Sequence, residues 1–246
     1  MLTKAVHLDV IAILDNFFAN NSKLDFHVER KEELTADWIL NKSHIPYLSL
    51  CLKNVPYKEM LDEAGSLDSL FVKHRSDDSE GWSSLCIHGI SSQHTDHYAI
   101  YPDYAHLSNN TVPYTWTEIK HRCPVTIEYF KNVFPYDVYH RIRFMKLDPG
   151  GYILPHSDST DLTLRAINFS LNNPAGCNFV FEKYGIVPFK NSGSAFLLAN
   201  GYTHSVWNLS HEPRYHIIVH GYATTETFYN LVVESYNSLM PGIFDI

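Results

Sequence analysis

The segment Pro149-Gly150-Gly151-Tyr152-Ile153-Leu154-Pro155-His156-Ser157-Asp158 places an imidazole and a carboxylate two residues apart. On an extended strand residues i and i+2 project from one face, so His156 and Asp158 point at one spot. A stable metal site needs a third ligand. His204, at the start of a later apolar strand, is the candidate. Two histidines and one carboxylate on one face leave coordination positions open, the facial arrangement in which Fe(II) takes a co-substrate and O2. A His-x-Asp pair alone is weak evidence. The chain holds another, His94 and Asp96, in a stretch without strand alternation that reads as a polar loop. The competing reading of His156 is a turn histidine bonded to Asp158 or to backbone.

Arginines sharpen the pattern. Arg214 lies ten residues beyond His204 at the start of another strand, and Arg165 lies nine beyond His156 within an apolar one. An arginine is costly to bury without an anionic partner. A dicarboxylate co-substrate supplies two anions, and the guanidinium fork binds carboxylates bidentately. Arg143 alternates with Arg141 and Met145, so the three share a strand face. Two readings stay open for it: an interior arginine that meets a substrate carboxylate, or a surface arginine with a salt partner. His216, Ile218 and His220 share the parity of Arg214, and His216 is read as lying beside the site or in the core, not as a ligand.

These residues need strands to hold them. From Val138 onward the hydrophobic period is two, with strands expected at 139–147, 162–171, 178–182, 194–199, 204–208 and 214–221. Asp148-Pro149-Gly150-Gly151, Asn172-Asn173-Pro174-Ala175-Gly176 and Asn191-Ser192-Gly193 supply turns between them. Many short strands with tight turns predict a mainly β fold with flanking helices, an antiparallel sandwich or jelly roll. Helical spacing predicts a first helix over 5–19 and a last one from Thr225 to Leu239. Over 116–132 it predicts either one helix or a separate helix beginning at Cys123, before Pro124. Residues 73–81 read as a polar loop, and 91–114 as an irregular aromatic span fit to cover a site. The expected organisation is 1–135 packing on the core, 136–224 as the β core, and 225–246 as a C-terminal helix and tail, all in one structural domain.

Composition bounds the function. The 246 residues carry 19 basic and 27 acidic side chains, a net charge of −8, which speaks against nucleic acid or an anionic membrane as partner. No apolar run reaches the ~20 residues of a membrane span. The first residues lack the apolar stretch of a signal peptide. Four scattered cysteines form no Cys-x-x-Cys motif, so free thiols in a reducing, cytoplasmic compartment are expected. Nothing in the sequence specifies an oligomeric state.

From Tyr139 to Gly221 the chain resembles the Fe(II)/2-oxoglutarate-dependent dioxygenases, and within them the aspartyl/asparaginyl β-hydroxylases and bacterial cis-proline hydroxylases. The resemblance rests on His156-x-Asp158 after the Pro-Gly-Gly turn, His204, and Arg214 and Arg165 at their spacings. It implies a double-stranded β-helix (a cupin-like jelly roll). It also implies Fe(II) held by His156, Asp158 and His204, 2-oxoglutarate held by Arg214 and Arg165, and a substrate contact from Arg143. The implied reaction consumes O2 and 2-oxoglutarate, releases succinate and CO2, and hydroxylates an unactivated C–H bond. Its substrate would be a free amino acid or an amino-acid residue in a peptide or protein. No side-chain general base is required. Two departures from the β-hydroxylase pattern, Ile167 in place of a histidine and the presence of Asp158, move the chain toward the amino-acid hydroxylases. The alternatives are a cupin-like metal-binding isomerase or binding protein without oxygenase activity, and a noncatalytic interaction protein with a degenerate site.

Overall fold

The computed structural model describes residues 4–29, 31–75 and 78–239; the end of the expected C-terminal tail, 240–246, lies outside them. Helices α1 (Lys4–Asn21), α2 (Ala36–Lys42), α3 (Tyr57–Ser66) and α4 (Pro124–Asn132) precede the long strand β5 (Val138–His156), and α5 (Glu226–Ser238) closes the order. Strands β1 (Tyr47–Ser49), β2 (Val72–Lys73), β3 (Ser79–Gly89) and β4 (Thr115–Trp116) fall between the early helices. After β5 come β6 (Ala166–Ser170), β7 (Cys177–Phe181), β8 (Gly185–Ile186), β9 (Ser194–Leu198), β10 (His204–Asn208) and β11 (Arg214–Tyr222).

All the pairings are antiparallel. The main path runs β1-β9-β6-β11-β5-β10-β7-β8, with β3 lying along β5 and carrying β2 and β4. One strand organises the whole. Residues 138–147 of β5 pair with β11, whereas Tyr152, Ile153 and His156 pair with β10. The exchange happens at Asp148-Pro149-Gly150-Gly151. The expected turn is therefore a bend inside one continuous strand, with Gly150 at φ +74°. The bend folds the β10-β7-β8 sheet over the inner face of the β11-β6-β9 sheet, which makes the two layers of a curled jelly roll.

Strand parity sorts the side chains. Ile142, Phe144, Ile167, Phe169, Ile217 and Val219 face a large core shared with the helices, including Ile39, Met60, Val232 and Tyr236. A second cluster between the sheets contains Leu147, Ile153, Phe179, Phe181, Phe196 and Val206. The strand alternates of the first group, Arg143, Asn168 and His216, are polar yet buried. Burying polar groups is costly, so this face serves something other than packing.

Two expectations are corrected, and one choice between readings is decided. The 73–81 loop is shorter than read, because β3 begins at Ser79; its start, Ser-Glu-Gly-Trp, has no hydrophobic alternation to announce it. Over 116–132 the reading of a separate helix holds: a short 3-10 turn at Glu118–Arg122 precedes α4, whose N-cap position is Cys123, with Pro124 at the first helical turn where its missing N–H costs nothing. Arg165 lies just outside β6 instead of within a strand. Thr225 caps α5 through the Phe228 N–H as its sequence position suggests. All four cysteines are free thiols. Among the described residues no helix is long and apolar enough to cross a membrane.

Candidate active site

His156 ends β5 and His204 begins β10, and the two are direct partners in the antiparallel register. Their rings lie 4.4 Å apart, and the His204 ring stacks on Phe179 at 5.1 Å and 7°. Each imidazole donates from Nδ1 to a carbonyl two residues earlier, His156 to Leu154 at 2.8 Å and His204 to Tyr202 at 2.9 Å. That puts the proton of each neutral ring on Nδ1 and leaves Nε2 as the atom to ligate a metal. Asp158 sits in the turn beyond β5. Its carboxylate oxygens lie 3.5 Å from His156 Nε2 and 4.0 Å from His204 Nε2. The candidate ligand atoms of the three residues fall within 4.8 Å of one another. Two imidazoles and one carboxylate converging on one side suit a divalent metal with open positions.

The Asp158 turn is pinned by Asn200, in the turn before β10. The Asp158 N–H donates to the Asn200 carbonyl at 2.9 Å, and Asn200 Nδ2 donates to Asp158 Oδ2 at 3.1 Å. Arg75, stacked over Trp82, approaches Asp158 Oδ1 at 3.5 Å. Burial acts to raise the Asp158 carboxyl. The neighbouring His156, His204 and Arg75 outweigh it, and hold the group well below the usual carboxylate range. Burial, then the neighbouring His156, pushes His204 down to about 4, so it stands neutral at pH 7. Burial works against a charge on His156, but Asp158 and the Leu154 carbonyl outweigh it and raise that ring, so a cation entering the site displaces any proton on His156 Nε2.

Beside the triad a cavity of about 440 Å³ opens between the sheets. Arg214 lies buried in its wall. Arg214 Nε donates to His216 Nε2 at 2.6 Å, while His216 Nδ1 donates to Asn168 Oδ1 at 2.7 Å. The chain of bonds aims the guanidinium and keeps His216 neutral; burial and the Arg214 charge hold its pKa far below the ordinary value. Among the described residues no carboxylate pairs with Arg214.

Arg143 is also inside. It is 6% exposed, and its Nη1 donates to the Thr95 carbonyl at 2.6 Å while Nη2 lies 3.1 Å from His220 Nε2. Of the two readings left open for it, the interior one describes its place. Arg165 differs from expectation. It is exposed at the cavity mouth, with its Nε bonded to Asp161 Oδ2 at 2.9 Å. Being exposed, it needs no further anion to offset burial.

Sequence reasoning missed Asn200, Arg75 and His74 at this site. Asn200 read only as a turn residue, and Arg75 and His74 belong to the stretch taken for a loop; nothing local marks them. Asp96, from the second His-x-Asp pair, does line the cavity. His94 instead bonds Ser91 and packs on Tyr101.

No curated protein sequence matches the chain. Among solved structures it is similar to a 2OG-Fe(II) oxygenase family oxidoreductase from Burkholderia pseudomallei, at 10% identity and TM-score 0.46, covering 81% of this chain and 97% of that one. It is also similar to a Pseudomonas putida prolyl-4-hydroxylase at 12% identity and TM-score 0.39, covering 73% and 92%. A Trichoplax adhaerens prolyl hydroxylase, solved with a hypoxia inducible factor peptide fragment, aligns at 11% identity and TM-score 0.43 over 98% of each chain. The aspartyl/asparaginyl beta-hydroxylase family model matches residues 57–223. That span is more than half of the chain and includes every strand that carries His156, His204, Arg143 and Arg214, so the protein belongs to the aspartyl/asparaginyl beta-hydroxylase family.

Proposed function

We propose that the protein is an Fe(II)- and 2-oxoglutarate-dependent hydroxylase acting on an amino acid or an amino-acid residue. His156, Asp158 and His204 would hold the iron, Arg214 the distal carboxylate of 2-oxoglutarate, and Arg143 the substrate. The observation that carries this reading is Arg214, a buried cation without an anionic partner among the described residues, in the same cavity as a His-Asp-His cluster. A metal-binding isomerase or binding protein has no use for that arginine.

Bound iron with 2-oxoglutarate and O2 supplies the oxidising power for C–H hydroxylation. The chain's own residues do the rest. The Nδ1–H tethers orient both imidazoles, Asn200 holds the carboxylate, and the His216–Asn168 relay aims Arg214. Phe179 and Val206 present apolar surface to the cavity and limit water there. The cavity volume, about 440 Å³, falls in the range of small-molecule sites. Arg165, exposed and already paired, contributes at most to the mouth.

The test needs no knowledge of the substrate. Fe(II) and then 2-oxoglutarate are added to the protein without oxygen, and the visible charge-transfer absorption of the chelate is followed. The unmodified protein is expected to develop the band and Asp158→Ala to lack it. Arg214→Ala is expected to weaken 2-oxoglutarate binding by about 30-fold or more, the cost of truncating one partner of a buried charged pair. A well-folded, iron-loaded protein without the band would remove the oxygenase reading and favour a metal-binding protein of another kind.

A further inference from the structure

Six basic side chains line the cavity. Arg75, Lys146 and Arg165 have carboxylate partners in Asp158, in Asp68 and Asp148, and in Asp161. Arg214 has its proposed role. Arg141 and Arg143 remain, two residues apart on one face of β5, about 7 Å from Cα to Cα. Neither has a carboxylate within ion-pair distance among the described residues. The Arg141 side chain makes no hydrogen bond among the described residues, and its Nη1 is fully buried without a partner. Arg143 spends Nη1 and Nη2 on neutral acceptors, and its Nε is buried without a partner. The groups packed around them, His74, His220 and Thr95, carry no negative charge to offset the pair. Two like charges this close, Arg143 buried and Arg141 half-buried with its Nη1 out of water, are unfavourable unless an anion completes the site.

One carboxylate does stand nearby. Asp96 lines the same cavity. Its Oδ1 accepts the His97 N–H at 2.7 Å, and among the described residues no lysine or arginine reaches ion-pair distance. Two unfilled guanidinium groups and a carboxylate without a cation, side by side, form a receptor for a zwitterionic head group.

We infer that Arg141 and Arg143 together take the α-carboxylate of the substrate and Asp96 its ammonium, so that the substrate is a free α-amino acid rather than a residue inside a polypeptide. The inference rests on the hydroxylase reading above and narrows it. An internal residue has both groups tied up in peptide bonds and would leave the buried N–H donors of both arginines unsatisfied.

The test compares two pools in a succinate-release assay with the iron-loaded enzyme and 2-oxoglutarate. One holds the common free α-amino acids; the other holds the same compounds N-acetylated and C-amidated. Stimulation by the free pool alone is expected. Equal stimulation by the capped pool, or none by either, overturns the inference. The charge-transfer band is read in the same preparations, so a failed hydroxylase reading (no band) is told apart from a failed substrate assignment (band, wrong pool). Arg141→Met is the decisive variant. It is expected to keep the band and to raise KM for the stimulating amino acid about 30-fold or more. Its Tm is expected to be equal or higher, because a half-buried charge without an anionic partner is removed. Asp96→Asn is expected to raise KM about tenfold. A lowered Tm with unchanged KM in Arg141→Met would show a structural arginine and overturn the assignment.

Discussion

At the scale of single residues, the metal cluster depends on groups that do not touch the metal. Asn200 is the clearest case, because it holds Asp158 by both backbone and side chain. Its Oδ1 is buried without a partner, so the side chain contributes little to folding stability. Asn200→Ala is therefore expected to leave Tm within a few degrees of the unmodified protein. Fe(II) or Zn(II) affinity is expected to fall by about 10- to 100-fold, as when the outer partner of a ligand is lost. Titration calorimetry beside thermal melts separates the two; equal affinity would show that Asp158 is positioned by its backbone alone. In the sequence, Asn200 was legible only as turn punctuation between β9 and β10. Its partner stands 42 residues away, and local pattern carries no information at that range.

At the scale of elements, the site is built by two turns that touch. The turn after β5 carries Asp158 and Asp161, and the turn before β10 carries Asn200 and Gly201. Gly201 sits so close that a Cβ there would run into the Asp161 carbonyl and lie 3.2 Å from Leu162 Cδ2. Gly201→Ala should push the Asp158 turn away from His204. Metal affinity is expected to fall by at least about tenfold, with α5 and the sheet intact by circular dichroism. Gly65→Ala, in α3 with nothing within 4 Å of the added methyl, is the control and is expected to stabilise by about 0.5–1 kcal/mol. Unchanged metal binding in Gly201→Ala would mean that the turns move independently. The β10 span was legible to the residue because its boundaries coincide with turn signals. The β5 bend was not: Pro-Gly-Gly reads as a chain reversal, whereas β3 pairs with β5 on both sides of the bend, at Leu147 and at Tyr152, and carries the strand onward.

At the scale of the whole molecule, the interior is unusually rich in neutral histidine. His74 and His88 are pushed down by burial to about 3 and about 4, and burial holds His216 and His220 well below the ordinary value. The Arg143 charge adds to the effect on His74 and His220, and the Arg214 charge to that on His216. The unfolded chain takes up these protons near pH 6.5, whereas the folded chain refuses them. The unfolded state thus binds more protons below that pH, and stability falls as pH drops. Each such histidine contributes about 1.4 kcal/mol per pH unit once well below 6.5. The urea midpoint of the metal-free protein is expected to drop clearly between pH 7.5 and 5.5, and His88→Leu is expected to reduce the slope. A flat profile would show that water reaches these rings.

The sequence by itself determined the local and the periodic. Alternation located the later strands, helical spacing and Thr225 located the last helix, and His-x-Asp with a distal histidine and an arginine ten residues on marked the chemistry. Each of those signals is carried by residues near one another or at a spacing that strand geometry fixes. Only the tertiary structure decided which faces met. It turned Arg141 and Arg143 inward, left Arg165 exposed with Asp161, brought Asn200 and Arg75 to Asp158, and drew Asp96 from a distant loop to the cavity wall. The physical reason is that strand parity tells a reader which side chains share a face but not what that face meets. That depends on the bend in β5, which turns one long strand into a member of both sheets.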